Sequence, residues 1–471
     1  MKHLLYAIVL TFCIACLPLL AVADAVEDVW QGSLDVSGTK LHVIFHIVKA
    51  ADGKYSGTLD SPDQGAKGIA MTVTTYTKET FNVEVPAVNG SFEGKLNKAG
   101  TEAVGTWRQG PGELPLTLTK GGKVVEPRRP QTPQPPFPYD VEDVTFDSTP
   151  DVKLAGTLTL PQGRTGRVPT VLLIAGSGPN TRNEPILNHQ VFLVLADYLT
   201  RRGFGVLRYD KRGTGKSTGS YAQATTADFA DDAQAGVAYL KTRKEVDGAK
   251  IGLIGHSEGG VIAPLVASRD KDVAFIVLMA GTGLNGEEIL YLQSALIAKA
   301  EGGKDEAIAK NRKTQQKMFG IAKQEKDPVA AKQKMKELVD TLWASLTDAQ
   351  RAEFKSEAPL YAQGNALISP WMRYFLTYDP LPALRKVTCP VLVLNGSKDL
   401  QVPPKEDLNA IETALKAGGN TDYMIKELPN LNHLFQTCTT GSPSEYAVIE
   451  ETMAPIALKT MGDWIAAHTK K

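Results

Sequence analysis

Gly255-His256-Ser257-Glu258-Gly259 sets a serine between two glycines in the pattern G-x-S-x-G. A serine hydroxyl is a weak nucleophile near neutral pH and reacts only when a base takes its proton. The glycines suit a tight turn that presents a strained serine at a strand end without clashing with the adjoining chain. The pattern alone is weak. Its setting is strong, because Lys250-Ile251-Gly252-Leu253-Ile254 reads as a strand before it and a helix opens at Gly259.

The base is found by elimination among seven histidines. His3 falls in an apolar leader, His42 and His46 in an alternating strand, His189 near a helix, His256 beside the serine and His468 in a basic tail. His433 alone sits in a loop after the last predicted strand, Tyr423 to Leu428, within Pro429-Asn430-Leu431-Asn432-His433-Leu434-Phe435. An acid must orient that imidazole and stabilise its charged form. Asp399 lies just past the carboxyl end of the buried strand Leu392-Val393-Leu394. Its rivals are mispositioned, since Asp379 precedes the strand and Asp407 lies in the next helix.

The developing oxyanion needs N–H donors already in place. The backbone of Glu258, directly after the serine, supplies one. The loop Gly176-Ser177-Gly178-Pro179 supplies the other, from Ser177, because Pro179 has no N–H. The Glu258 side chain either shapes the pocket or pairs with a loop arginine such as Arg182. Trp371, Met372 and Phe375 are candidates for apolar pocket lining, and equally for the core of a cap. Gly213-Thr214-Gly215-Lys216-Ser217 imitates the end of a phosphate-binding loop, but the full pattern needs glycine where Asp210 stands. Asp210-Lys211-Arg212-Gly213 reads instead as a structural turn.

These residues require a scaffold of alternating strands and helices. From Tyr139 onward strands at Val168–Ile174, Gly205–Asp210, Lys250–Ile254, Ala274–Met279, Val391–Leu394 and Tyr423–Leu428 alternate with helices at Val191–Arg202 and Ala227–Lys241. That is the pattern of a mostly parallel sheet with flanking helices. Residues 285–384 are too long for a simple connection and read as an inserted helical cap, with helical spacing at Ile289, Leu292, Leu296 and Ile297. Residues 24–125 read as a separate all-β domain, a small barrel or sandwich. They carry the alternation Leu41-His42-Val43-Ile44-Phe45-His46-Ile47 and turns at Ala51-Asp52-Gly53, Val88-Asn89-Gly90, Lys98-Ala99-Gly100 and Gly110-Pro111-Gly112. Six prolines in residues 126–138 mark a linker of the extended polyproline type between that domain and 139–471.

The 471 residues carry 52 Lys+Arg against 52 Asp+Glu, a balance that gives no support to a general nucleic-acid or membrane-binding surface. Residues 1–23 have a short basic start, an apolar run too short to favour a membrane span, and Ala21-Val22-Ala23. They read as a cleaved export signal, which places the mature chain in the periplasm or outside the cell. A lipoprotein is the competing reading, with Cys16 poorly supported by Cys13-Ile14-Ala15 before it. Export would permit Cys389 and Cys438 to pair, and two separate thiols is the preferred alternative.

The order Ser257, Asp399, His433 is that of the α/β-hydrolase fold. On Gly255-His256-Ser257-Glu258-Gly259-Gly260, Gly176-Ser177-Gly178-Pro179, Tyr209-Asp210-Lys211-Arg212-Gly213, Gly396-Ser397-Lys398-Asp399 and Asn432-His433-Leu434-Phe435, the chain resembles secreted bacterial esterases related to the serine aminopeptidase family. The N-terminal region is similar to the leader domain of that group at Trp30-Gln31-Gly32 and Gly105-Thr106-Trp107. The resemblance implies a serine carboxylesterase that acts on small or medium acyl esters through an acyl-enzyme, without metal or organic cofactor. It leaves open an aminopeptidase or thioesterase using the same triad. In the peptidase case an acid such as Glu287 or Glu288 would hold the substrate amine. A reading of another class is a non-catalytic protein whose β domain binds glycan or lipid.

Overall fold

The computed structural model describes residues 27–36, 39–49, 54–62, 66–109, 112–121, 128–348, 351 and 357–470. The predicted export signal lies outside them, as do turn residues Ala51, Asp52, Gly53, Gly110 and Pro111. The described residues divide into two compact units, one within residues 129–334 and 365–470 and the other within 27–128 and 335–364.

The N-terminal strands are β1 (Glu27–Val36), β2 (Thr39–Lys49), β3 (Tyr55–Ser61), β4 (Ala66–Tyr76), β5 (Thr80–Val85), β6 (Gly90–Leu96), β7 (Glu102–Gln109) and β8 (Gly112–Lys120). They form a closed barrel in chain order, and β1 seals it by pairing with both β2 and β8. Of the two predicted forms, barrel or sandwich, the barrel is the one observed. The period-2 pattern sends Val43, Phe45 and Ile47 of β2, and Phe81, Val83 and Val85 of β5, into one core. Aromatic rings fill its centre, with Trp30–Phe81, Phe81–Phe92 and Phe45–Phe92 centroids 5.3, 5.7 and 5.9 Å apart. His46 faces Asp60 at 3.1 Å.

The larger unit contains strands β9 (Tyr139–Thr149), β10 (Val152–Pro161) and β11 (Val168–Ile174), then a two-residue hairpin, β12 (Pro185–Ile186) and β13 (His189–Gln190). There follow α1 (Val191–Arg201), β14 (Gly205–Tyr209), α2 (Thr226–Thr242), β15 (Val246–His256), α3 (Gly259–Arg269) and β16 (Phe275–Met279). The eight-stranded sheet runs β18-β17-β16-β15-β11-β14-β10-β9, where β17 is Val391–Gly396 and β18 is Tyr423–Leu428. Six strands are parallel, and β9 and β10 form the antiparallel edge. Both faces are covered, so central strands are buried throughout. Along β11, Leu172 and Ile174 join one core with residues of α2 and α3, while Val171 and Leu173 join the opposite core with residues of α1.

Among the described residues, six helices occupy the predicted insertion: α4 (Gly286–Ala300), α5 (Asp305–Gln324), α6 (Pro328–Ala344), α7 (Ala358–Leu367), α8 (Pro370–Thr377) and α9 (Leu381–Leu384). Residues 335–364 group with the barrel and the rest of the insertion with the α/β unit. Helices α10 (Pro404–Ala417) and α11 (Pro455–Thr469) complete the chain. Of the proline-rich segment, the part from Arg129 belongs to the α/β unit. The Arg129 guanidinium donates to the carbonyls of Leu187, Ala447 and Ile449, and Gln131 binds Thr452 and Met453. Cys389 and Cys438 are free thiols, both pushed up to about 11 by burial. No helix among the described residues is long and apolar enough to cross a membrane.

Candidate active site

Ser257 sits between the end of β15 and the start of α3 with φ 53°, the left-handed region that an ordinary side chain avoids. Two glycines make the turn possible. A Cβ on Gly255 would lie 1.9 Å from the Gly259 carbonyl oxygen, and one on Gly259 would lie 2.0 Å from that of Ile174. The Ser257 N–H donates to the Met279 carbonyl at 2.8 Å, pinning the turn to β16. The strain is therefore held by the sheet rather than relaxed.

The His433 loop is shaped by its own neighbours. The Asn432 side-chain oxygen accepts from the N–H groups of Leu434 and Gln436, and Phe435 adopts φ 62°. Nδ1 of His433 lies 2.8 Å from Oδ2 of Asp399. The other carboxylate oxygen accepts from the N–H groups of Gln401 and Val402. A carboxylate can only accept, so Nδ1 carries the proton and Nε2 is left as the base. His433 is 5% and Asp399 2% exposed, so water does not compete for this bond. The rival acids are engaged elsewhere. Asp379 caps Leu381, and Asp407 accepts from Thr282, Gly283 and Leu284.

The loop after β11 comes directly against the serine, since a Cβ on Gly176 would lie 3.2 Å from that of Ser257. Its carbonyls are tied down: Lys211 Nζ donates to that of Gly176 at 2.6 Å, and Asn180 to those of Gly176 and Ser177 at 2.9 Å. The Tyr221 hydroxyl accepts from Gly178 N–H. Among the described residues, neither the Ser177 nor the Glu258 N–H has an acceptor. Both N–H groups are therefore left without a protein acceptor on the two segments that adjoin the serine.

Of the two roles open to the Glu258 side chain, lining the pocket is the one observed and pairing with Arg182 is not. Arg182 forks instead onto Asp210, at 3.1 and 2.9 Å, because Asp210 ends the neighbouring strand β14 and faces it. Glu258 accepts from Lys211 at 2.9 Å, from the Thr226 hydroxyl at 2.8 Å and from the Trp371 indole at 2.6 Å. Lys211, read in the sequence only as part of a turn, therefore links the Gly176 loop to the residue after the serine. Trp371 stacks on Phe375 at 5.2 Å, and Phe375 lines a narrow cleft with Thr226, Val261, Leu284 and Tyr378. Met372 is half-buried on α8 and does not line that cleft. Glu287 is bound to Lys323 and to the Tyr291 hydroxyl, and Glu288 to Asn285.

Sequence reasoning missed Glu184. It is fully buried, with φ 48°, and its Oε1 accepts from Gly176 N–H at 2.6 Å and lies 3.0 Å from His256 Nδ1. No local pattern announces such a residue. The signal available was His256 itself, a histidine placed where β15 must be buried.

A sequence profile for serine aminopeptidases of the S33 type matches residues 188–437. Esterase EstD of Thermotoga maritima is 27% identical over 308 residues, 64% of this chain and 61% of that protein, so the match spans about three fifths of that relative. YfhR of Escherichia coli O157:H7 is 26% identical over 148 residues, covering 31% of this chain and 49% of its own. The solved esterase Pf2001 of Pyrococcus furiosus aligns with a TM-score of 0.41 at 16% identity, over 73% of this chain and 97% of that one. With more than half its length matched by the profile, the chain belongs to the α/β-hydrolase family of S33 serine aminopeptidase-like proteins.

Proposed function

We propose that the protein is a serine carboxylesterase that works through an acyl-enzyme. Ser257 attacks the acyl carbonyl while His433 Nε2 takes its proton, and Asp399 holds the imidazole and balances its charge. The N–H groups of Ser177 and Glu258 receive the oxyanion. The imidazolium then protonates the departing alcohol, and a water activated by His433 hydrolyses the ester on Ser257. The observation that carries this reading is the 2.8 Å Asp399–His433 contact together with a left-handed Ser257 on the adjoining turn. The name of the T. maritima relative, an esterase, supports ester chemistry.

An aminopeptidase needs a free acid to hold the substrate amine. Glu258, Glu287 and Glu288 are each engaged by neighbouring groups, which favours the ester reading. The cleft beside Glu258 is lined largely by apolar side chains, which favours an acyl chain over a charged group as its neighbour. Residues 1–23 act in this account as an export signal, and the amino-terminal sequence of the mature protein tests it.

Hydrolysis of p-nitrophenyl esters from acetyl to dodecanoyl, beside Ser257→Ala, tests the central reading. The wild type turns over the shorter esters, and Ser257→Ala falls by about four powers of ten or more. Equal activity in the two proteins refutes the assignment. Turnover of peptide amides with none of esters moves it to a peptidase.

A further inference from the structure

Behind the Asp399–His433 pair lies a second carboxylate–imidazole pair. His256 immediately precedes Ser257 and is 2% exposed. Its Nδ1 lies 3.0 Å from Glu184 Oε1 and its Nε2 lies 3.1 Å from the His433 carbonyl oxygen. The two histidine rings are 5.0 Å apart, centre to centre. The same Glu184 oxygen accepts from the N–H of Gly176 at 2.6 Å, and Gly176 precedes the oxyanion donor Ser177. One buried pair thus touches all three segments that converge on the reaction: the oxyanion loop, the serine turn and the histidine loop.

The proton count follows from the acceptors. A carbonyl oxygen only accepts, so His256 must carry a proton on Nε2 to bond to His433. Its other nitrogen faces a carboxyl group, and the contact is a hydrogen bond only if one more proton sits between them. With that proton on nitrogen, the pair is an imidazolium facing a carboxylate. Burial pulls the His256 pKa down, but Glu184, the His433 carbonyl and Asp399 outweigh it and leave it above the ordinary value. The ionisable groups facing it are Glu184 from the 181–190 segment and His433 and Asp399 from the loops after β18 and β17. Glu184 Oε2 is buried without a hydrogen-bond partner, and the residue sits at φ 48°. A residue kept in that backbone region, with one oxygen unpaired, is costly to folding and is retained at positions where geometry matters.

We propose that Glu184 and His256 are positioning residues for the esterase reaction, an ion pair that holds the backbones of Gly176 and His433 in register with Ser257. The proposal rests on the esterase reading above. It predicts that removing the charge of Glu184, even with its shape preserved, frees one of the two His256 bonds, since a neutral imidazole has a single N–H to share.

Glu184→Gln in the full-length protein isolates that charge, because the amide oxygen can still accept from Gly176. The expected result is a fall in kcat of about tenfold to a hundredfold for p-nitrophenyl acetate, with KM within about twofold. The acid limb of the kcat/KM profile moves, because a charged pair whose imidazolium ring lies 5.0 Å from that of His433 has been replaced by a neutral one. A role in packing alone would lower the amount of folded protein and leave the acid limb in place. The protonation state is read without turnover from side-chain nitrogen resonances of histidine-labelled protein at pH 7.5, with His256→Gln assigning the signal. Both His256 nitrogens protonated in the wild type, and one in Glu184→Gln, is the expected pattern. A wild-type His256 with a single N–H, or a Glu184→Gln protein with unchanged kcat and acid limb, overturns the proposal. If Ser257→Ala stays active, the esterase reading falls, and the resonances still decide whether the ion pair exists.

Discussion

The barrel core is almost wholly apolar, whereas the α/β unit buries many charged side chains beside its apolar cores. The barrel interior is Trp30, Phe45, Phe81, Phe92, Trp107 and aliphatic residues, and its charged groups pair near the surface, as Arg108 does with Glu93 and Glu113. In the α/β unit Glu184, Arg208, Asp210, Lys211, Arg212, Asp232, His256, Glu258, Asp399, Asp407 and His433 are all buried. Many of them follow the carboxyl ends of parallel strands. Burying a charge costs several kcal/mol unless it is paired and hydrogen-bonded, and a fold gains nothing in stability by collecting such groups. The contrast shows where the molecule spends stability on fixed dipoles and where it spends nothing. Ligand sites in open α/β sheets lie at those same strand ends.

The contrast breaks most visibly at Lys211. Lys211→Met leaves Glu258 charged, buried and short of its cation, and releases the Gly176 carbonyl. The expected loss is about 3–5 kcal/mol in chemical denaturation and a tenfold to hundredfold fall in ester turnover. Adding Glu258→Gln recovers most of the stability and little of the rate. A single variant with wild-type turnover would separate the ion pair from the oxyanion loop.

In the barrel, Phe81→Ala removes a ring that touches Trp30, Phe45, Tyr76 and Phe92. It costs about 3–5 kcal/mol through the cavity left behind, and turnover per folded molecule stays at the wild-type value. Active-site titration alongside a denaturation curve measures both. A fall in turnover per titrated site would show that barrel packing reaches the chemistry.

The smallest effect sharpens the comparison within the α/β unit. Asp407 is held by Thr282, Gly283 and Leu284, and its second oxygen is buried without a partner. Burial, against those hydrogen bonds, pushes its carboxyl up to about 7. A raised folded-state pKa means that its contribution is full below about pH 4, the unfolded value, and is lost as pH rises through about 7. Asp407→Asn keeps the accepting oxygen and removes the charge. The variant should gain about 1–3 kcal/mol over wild type at pH 8 and close to nothing at pH 4. Denaturation at the two pH values gives the sign, and an equal effect at both would place the Asp407 charge in the unfolded state as much as the folded one.

The parts of this architecture visible in the sequence were those with a local cause. Strand β11 occupies the predicted residues because a buried run bounded by turns admits few other readings, and β18 occupies its predicted residues as a half-exposed edge strand. Thr225, two residues before the predicted start of α2 at Ala227, closes a capping box with Asp228. Ser257, Asp399 and His433 could be put forward from the sequence because a glycine-flanked serine, a post-strand acid and a loop histidine occur in a recognisable order. Glu184, Lys211 and the true partner of Arg182 were hidden because each interaction joins segments distant in sequence. Lys211 and Glu258 are 47 residues apart, and His256 and Glu184 are 72. Pairings of that kind depend on strand order, which no local pattern states. The grouping of residues 335–364 with the barrel is likewise invisible to helical periodicity, which reports a buried face but not the neighbour that buries it.

The most direct measurement is covalent. Wild-type protein treated with a fluorophosphonate and digested should carry one adduct, on the peptide containing Ser257, and His433→Ala should label slowly or not at all. An adduct at Ser257 that needs His433 is the result this account predicts. Rapid ester hydrolysis with no adduct at Ser257, or with labelling indifferent to His433, would contradict it.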